Sequence, residues 1–335
     1  MKRIFTLLFA VLTATTIMAQ MHGPMKFVGA SNMTVSTMSN DNPSDTILFA
    51  MNGMESGNIT LPAMKGMQTI PSFTISGATF TLGENHVVTF ADQTFSAKVT
   101  VDGAEKNITG KSLSGTYNMA DNSLSLTVVF QYGKMPFPMT YTVKGYYVKA
   151  VSNPITVTVG GQFTYNNDNV TYELRRYKDG GTDKLDVTVP SYSLTNTVMG
   201  DLTLGTYTVK GLVYDEAQGG YYRDYKNDGL KFHFTAVNGG KTTMDKDYEF
   251  AKEKANNILV KYEGSNVSSI VNTFQMGAMP FGIVSVFSAP ATSIEGVNAN
   301  ATAPADGRTY NLAGQRVDNN YKGIVIVNGK KYLRK

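Results

Sequence analysis

Residues able to do chemistry are scarce in this chain. It has no Cys and three His, at 22, 86 and 233, which lie far apart and have no partner four residues on. That excludes thiol nucleophiles, disulfide scaffolds and thiolate-bound metal, and no histidine falls in a nucleophile-elbow or zinc-protease pattern. His233 sits in KFHFTA between Phe232 and Phe234, so on a strand it points away from both and reads as a half-exposed strand histidine. A hydrolase needs a base and a nucleophile that the sequence does not supply, so the expectation is no enzyme, no catalytic residue and no cofactor.

Three other groupings could bind. Acidic residues gather at Asp179 and Asp183 around Gly180-Gly181, and again in DEAQGGYYRDYKNDG at 215–229. The second stretch is rich in oxygen ligands, but it lacks the ordered spacing of a calcium loop and carries Arg223 and Lys226. As a long contact loop, its Tyr221, Tyr222, Arg223 and Tyr225 would offer flat apolar faces with polar tips, suited to sugars, peptides or proteins. The plainer alternative is a solvated hairpin. Methionine is the compositional oddity: eight of the 17 Met fall between residues 21 and 67. Without a tight Met-x-Met repeat, they suit irregular packing or cavity lining better than Cu(I). Cleavage after Ala19 would also leave Gln20-Met21-His22, whose amine, two amides and imidazole could wrap Cu(II) or Ni(II). His22 is thus the one metal candidate, unless Gln20 cyclises and removes the amine.

The elements that must position these residues are strands. Runs such as Thr94 to Val101, Leu124 to Gln131, Tyr141 to Val148, Ile155 to Val159 and Lys231 to Ala236 are rich in β-branched and aromatic residues. Gly, Asn and Asp punctuate them at the spacing of antiparallel barrels or sandwiches. Lys246 to Lys261 alone could pass for a short helix or an irregular crossing. FQYGKMPFP at 130–138 returns as FQMGAMPFG at 274–282, 144 residues later. Leu61-Pro62 followed by Phe73-Thr74-Ile75 parallels Val189-Pro190 followed by Leu202-Thr203-Leu204, and the drift in offset places inserted residues near Asp215 to Asp228. Two tandem copies follow, at 20–149 and 150–289, each long enough to close its own core.

The ends carry addresses. Residues 1–19, MKRIFTLLFAVLTATTIMA, have the basic start, apolar stretch and small-residue end of a secretory signal peptide. The stretch is shorter than a membrane span, and no later segment is apolar enough to be one. Of 30 basic and 26 acidic residues, Lys2 and Arg3 would leave with it, and the remaining excess is too small to argue for nucleic acid. After a linker at 290–306, the tail at 307–335 reads as an alternating hairpin, with strands at 308–312 and 323–328 and a turn at Asn328-Gly329. Its Tyr310, Leu312, Gly314, Gln315, Val317, Lys322, Gly323, Ile324, Ile326, Val327, Lys330 and Lys331 make it similar to the type IX secretion sorting domain. That resemblance implies export machinery as a partner and a periplasmic, outer-surface or extracellular location.

The body resembles the calycin-like β-barrel domain of exported Bacteroidota proteins. The likeness rests on Leu61-Pro62 and Val189-Pro190, on the Gly-Thr-Tyr-Asn and Leu-Ser-Leu-Thr-Val runs within 115–128, and on the closing Met-Pro-Phe strands. It implies an all-β chain of two lipocalin-like antiparallel barrels, interiors lined by alternate residues, and carries over no catalytic residue. The expected function is a non-enzymatic exported binding protein that encloses a small hydrophobic ligand. Its walls would be Met64, Phe73, Met135 and Phe137 in one barrel and Met276, Met279 and Phe281 in the other, each with a plain reading as core. The alternative is a structural or adhesive surface module that meets a protein or glycan through its Tyr-rich loop. An apolar void of a few hundred cubic ångströms, open to solvent, separates the two.

Overall fold

The computed structural model describes residues 23–65, 69–83, 86–277, 279–288, 309–311, 317–318, 321–327 and 330–334, and all their regular structure is β. The signal peptide, His22, Met67 and the 290–306 linker lie outside the described residues.

Strands form where apolar residues alternate, and the first shows it plainly. In β1 (Met25–Val35) every second side chain is buried, Met25, Phe27, Met33 and Val35 among them. The first half continues with β2 (Met38–Met51), β3 (Ser56–Leu61), β4 (Met64–Lys65), β5 (Thr69–Ile70), β6 (Phe73–Thr79), β7 (Thr81–Leu82), β8 (Val87–Val101), β9 (Ala104–Asn118), β10 (Ser123–Tyr132) and β11 (Met139–Val159). Eight of these lie side by side, antiparallel, in the order β6-β3-β2-β1-β11-β10-β9-β8. The two end strands meet through a side chain: Gln93 of β8 donates to Thr79 O and accepts from Thr79 N, each at 2.8 Å. An amide here does what a ladder would do.

The second half holds β12 (Phe163–Asp179), β13 (Thr182–Val189), β14 (Tyr192–Thr197), β15 (Gly200–Leu204), β16 (Tyr207–Asp215), β17 (Gly220–Asp224), β18 (Lys231–Asn238), β19 (Lys241–Glu249), β20 (Asn257–Glu263), β21 (Asn266–Phe274) and β22 (Ile283–Ser288). Here backbone pairing closes fully. The ring β11-β12-β13-β16-β17-β20-β21-β22 returns to β11, an eight-stranded antiparallel barrel. A separate sheet, β14-β15-β18-β19, packs Leu194, Leu202, Leu204, Phe232, Phe234 and Ala236 into the same core.

Strand β11 serves both halves without a break. It pairs with β1 up to Val148 and with β12 from Val148 onward. The expected boundary at 149/150 therefore falls inside one strand, although the cores are distinct, one ending at Val143 and the other starting at Ile155. Side chains strengthen the joint: Lys26 Nζ lies 2.8 Å from Glu173, Arg175 Nη1 donates to Val28 O at 3.0 Å, and the Tyr146 and Tyr177 rings sit 5.7 Å apart.

Several expectations need correction. Lys246 to Lys261 is no helix: it is the end of β19, a turn and the start of β20. Lys246 to Glu249 pair with β18, and the buried amide of Asn256 donates to Ala251 O at 2.7 Å and accepts from Gln275 N at 2.9 Å, bonds that compete with a helix. The Pro-marked edges do correspond, since Leu61 pairs with Phe73 and Val189 with Tyr207. The ladder partner in the second half is thus Tyr207, while Leu202 to Leu204 belong to β15, and extra residues enter before β16 rather than only near 215–228. The MPF repeat is a structural corner: Gln131 Nε2 donates to Met135 O at 2.5 Å, and Gln275 Nε2 to Met279 O at 2.7 Å. The tail has a third strand beyond the expected two. It runs β23 (Thr309–Asn311), β24 (Gly323–Val327) and β25 (Lys330–Arg334), all antiparallel.

Candidate functional site

Three hairpins of the closed barrel end on the same side. β12 and β13 join at Gly180-Gly181, β16 and β17 at Gly219, and β20 and β21 at Gly264, all with positive φ, which glycine adopts without a Cβ clash. Between them opens a cleft of about 620 Å³. Leu174 and Leu185 line it from the barrel, Arg176, Asp183, Tyr214, Tyr221 and Tyr262 from the strand ends, and Asn122, Tyr147 and Lys149 from the first half and the shared strand. The site exists because β11 carries the first half to the mouth of the closed barrel.

Its centre is a fixed polar pair under aromatic rings. Arg176 Nε donates to both Asp183 oxygens, at 3.0 and 2.8 Å, Arg176 Nη2 donates to Oδ2, and Tyr221 OH adds a bond to Oδ2 at 2.8 Å. The guanidinium also sits over the Tyr221 ring, 5.5 Å from its centroid. Tyr221 packs edge-on against Tyr214 at 5.7 Å and Tyr262 at 5.9 Å, and Tyr214 remains exposed. The Arg176 bonds hold the Asp183 carboxyl below the usual carboxylate range, and the same bonds raise Arg176. Burial pushes the Tyr221, Tyr262 and Tyr147 phenols up, so all three are neutral hydrogen-bonding groups at physiological pH. Lys149 Nζ donates to Ser265 O at 3.1 Å.

The structure scatters the residues that sequence reasoning selected. Of the 215–229 stretch, Tyr221 reaches the cleft. The segment is not one long loop but the last residue of β16, a turn at 216–219, strand β17 and an irregular stretch at 225–229. Tyr222 and Arg223 are half-buried on β17, and Arg223 grips Asp228 through two bonds of 2.9 Å. Tyr225 is buried, its OH donating to Asn272 Oδ1 at 2.8 Å, so it is core and not a contact residue. Met64, Phe73 and Met276 are buried among core side chains, and Met135 and Met279 pack against the cores. Phe137 and Phe281 are not wall residues: they are 55% and 50% exposed, because the glutamine-locked corner turns each outward. The first interior is filled by ring contacts, Phe49 with Phe90 at 5.3 Å and Phe73 with Phe130 at 5.4 Å among them. His86 sits in a turn with φ 58°, and His233 on β18 is exposed. Among the described residues no group of three or more His, Cys, Asp or Glu could hold a metal ion, and no helix is long and apolar enough to cross a membrane.

The sequence reading names Asp183 beside the Gly180-Gly181 turn but not its pairing with Arg176, and it does not name Tyr214, Tyr262, Tyr147 or Lys149. A signal existed for the Arg176–Asp183 pair: RRYKDGGTDK places opposite charges across a Gly-Gly turn, and hairpin register brings Arg176 opposite Leu185, next to Asp183. The others converge only through closure of the barrel.

An eight-stranded antiparallel barrel with a mouth cleft is the geometry of ligand-binding barrels. Residues 25–146 match the Calycin-like beta-barrel domain family. This is the first half of the body, and the fully paired ring lies in the second. Among solved structures, a Bacteroides fragilis crystal structure described as a "putative outer membrane protein" is similar at 14% identity and a TM-score of 0.25, covering 78% of this chain and 94% of that one. No curated protein matches the chain.

Proposed function

We propose that this chain is an exported, non-enzymatic binding protein built from two calycin-like barrels, and that its ligand is a glycan held in the cleft where the second barrel opens toward the first. The tail at 307–335 would serve as its export address. One observation carries the reading: a cleft of about 620 Å³, within the usual size range of ligand sites, combines tyrosine rings with an Arg176–Asp183 pair that already neutralises its own charge. Such a surface favours a ligand with apolar faces and hydroxyl edges, to which the Lys149 ammonium, already on Ser265 O, offers a further donor. Ring faces stack, and Asp183, Arg176, Asn122 and the phenols address the edges. Enclosure of a hydrophobic molecule has less support, because the candidate wall residues are either packed into or against the cores or exposed.

The test is a glycan and peptide array probed with the mature chain, followed by calorimetry on any hit. Tyr214→Ala should weaken glycan binding at least about tenfold, through loss of the exposed ring, and Arg176→Ala should do likewise. Unchanged affinity in both variants would remove the cleft as the site, and selective capture of peptides would replace the glycan.

A further inference from the structure

The closed barrel holds a cluster of polar side chains in its core. Six polar side chains converge inside: Tyr172 from β12, Tyr192 from β14, Tyr207 from β16, Tyr225 just past β17, Asn272 from β21 and Ser285 from β22. All are buried. Three satisfy one another: Tyr225 OH donates to Asn272 Oδ1 at 2.8 Å, Asn272 Nδ2 donates to Tyr207 OH at 2.6 Å, and the two phenols lie 3.4 Å apart. The other three do not. The hydroxyls of Tyr172, Tyr192 and Ser285 have no hydrogen-bond partner in the protein. Ser285 stands close enough to both phenols to bear on their ionisation, yet makes a well-formed bond to neither.

Each buried hydroxyl left unpaired is costly, and three in one place compound the penalty. A guest that relieves it must be able to donate and accept. It must also be uncharged, because no ionised side chain stands among the six to balance a charge. It must be small, because aromatic rings surround the cluster: Tyr172 against Phe287 at 5.4 Å and Tyr207 against Phe250 at 5.0 Å. We propose that the second barrel encloses an ordered water molecule bound by the hydroxyls of Tyr172, Tyr192 and Ser285, an internal site separate from the mouth cleft. Water supplies two donors and two acceptors, which suits three hydroxyl partners.

The sign of a mutational effect tests it. If the hydroxyls hold water, Tyr192→Phe, Tyr172→Phe and Ser285→Ala each strand a bound molecule and raise the unfolding constant by about fivefold or more. If the hydroxyls are simply unpaired, removing one leaves the constant unchanged or lowers it, and the proposal fails. A second measurement does not depend on variants that fold. In the unmutated protein, a rotating-frame Overhauser experiment should connect the ring protons of Tyr172 and Tyr192 to a signal at the water frequency, and its absence overturns the assignment. Native mass spectrometry distinguishes the source: added mass released on unfolding would mean a larger neutral guest in place of water and would equally overturn it.

Discussion

Asp186 offers the sharpest test of what anchors the closed barrel's link to the first half. It is 4% exposed and accepts four bonds: from Arg175 Nε at 3.2 Å, Arg175 Nη2 at 2.5 Å, Tyr177 OH at 3.1 Å and the Gly211 amide at 2.8 Å. Gly211 presents that amide because it has φ 69° where the β13–β16 register shifts, a bulge that turns one N–H toward the carboxylate. Arg175 in turn reaches across to Val28 O in the first half. Asp186→Ala therefore strands a guanidinium and an amide together. Removing one partner of a buried pair costs about 3–5 kcal/mol, and because water still reaches the partly exposed Arg175, the loss should lie near the lower end, about 3 kcal/mol. Asp186→Asn keeps the shape and one acceptor but not the charge, and should lose about 1.5–2 kcal/mol. Urea unfolding followed by circular dichroism, with midpoints compared at constant slope, measures both. A second readout is independent: burial and then the Asp186 charge push the Tyr177 phenol up to about 12, so its ultraviolet titration should move downward in Asp186→Ala. A loss under about 1 kcal/mol at unchanged slope, or equal losses in the two variants, would refute the ion-pair account.

Further predictions bear on the repeat and on pH. Gln131→Ala and Gln275→Ala each delete one side-chain bond to a corner carbonyl, so both should lose about 1 kcal/mol. Urea midpoints differing strongly between the copies would deny that the repeat is a shared structural device. His233 holds Asp247 on Nδ1 and Asp245 on Nε2, each at 2.9 Å, and the Asp247 bond chiefly raises its pKa above 6.5. Its folded value lies above its unfolded one, so its contribution is complete below about pH 6.5 and fades as pH rises through the folded value. Proton NMR titration should place the midpoint above 6.5 and show it falling in Asp247→Asn.

What the sequence reveals follows the range of the interactions. Alternation is local, so a strand such as β10 could be read from Leu124, Leu126 and Val128 alone. The MPF corners repeat because one glutamine-to-carbonyl bond four residues on shapes each, and that too is local. The cleft is not. Tyr147 and Tyr262 lie far apart in sequence, and nothing in their neighbourhoods announces that a ring of eight strands brings them to one opening. Tyr225 misled for the opposite reason: its neighbours are polar and Gly-rich, yet Asn272, 47 residues on, supplies the bond that lets its hydroxyl be buried. The apparent helix at 246–261 failed because its two ends pair into different sheets, with β18 and with β17 and β21, partners distant in sequence that a loosely amphipathic pattern does not reveal.

The continuous strand β11 makes the binding reading testable by dissection. If the cleft belonged to the second barrel alone, residues 150–288 would carry it whole, since the ring β11 to β22 closes within that span apart from the start of β11. The geometry argues otherwise. Asn122, Tyr147 and Lys149 all lie before residue 150, and Lys149 fixes the Gly264-Ser265 turn through its bond to Ser265 O. The cut would also expose Arg175 and Glu173, whose partners Val28 and Lys26 stand in the first barrel. The fragment 150–288 should therefore bind the cleft ligand at least about tenfold more weakly than the full chain, even where circular dichroism shows it folded. Restoring residues 119–149 should not suffice, because β10 and β11 need β1 and β9 beside them to hold Asn122 and Tyr147 in place. A folded 150–288 fragment with full affinity would show that the first barrel contributes nothing to recognition, and the site would then have to be drawn from the hairpins of the second barrel alone.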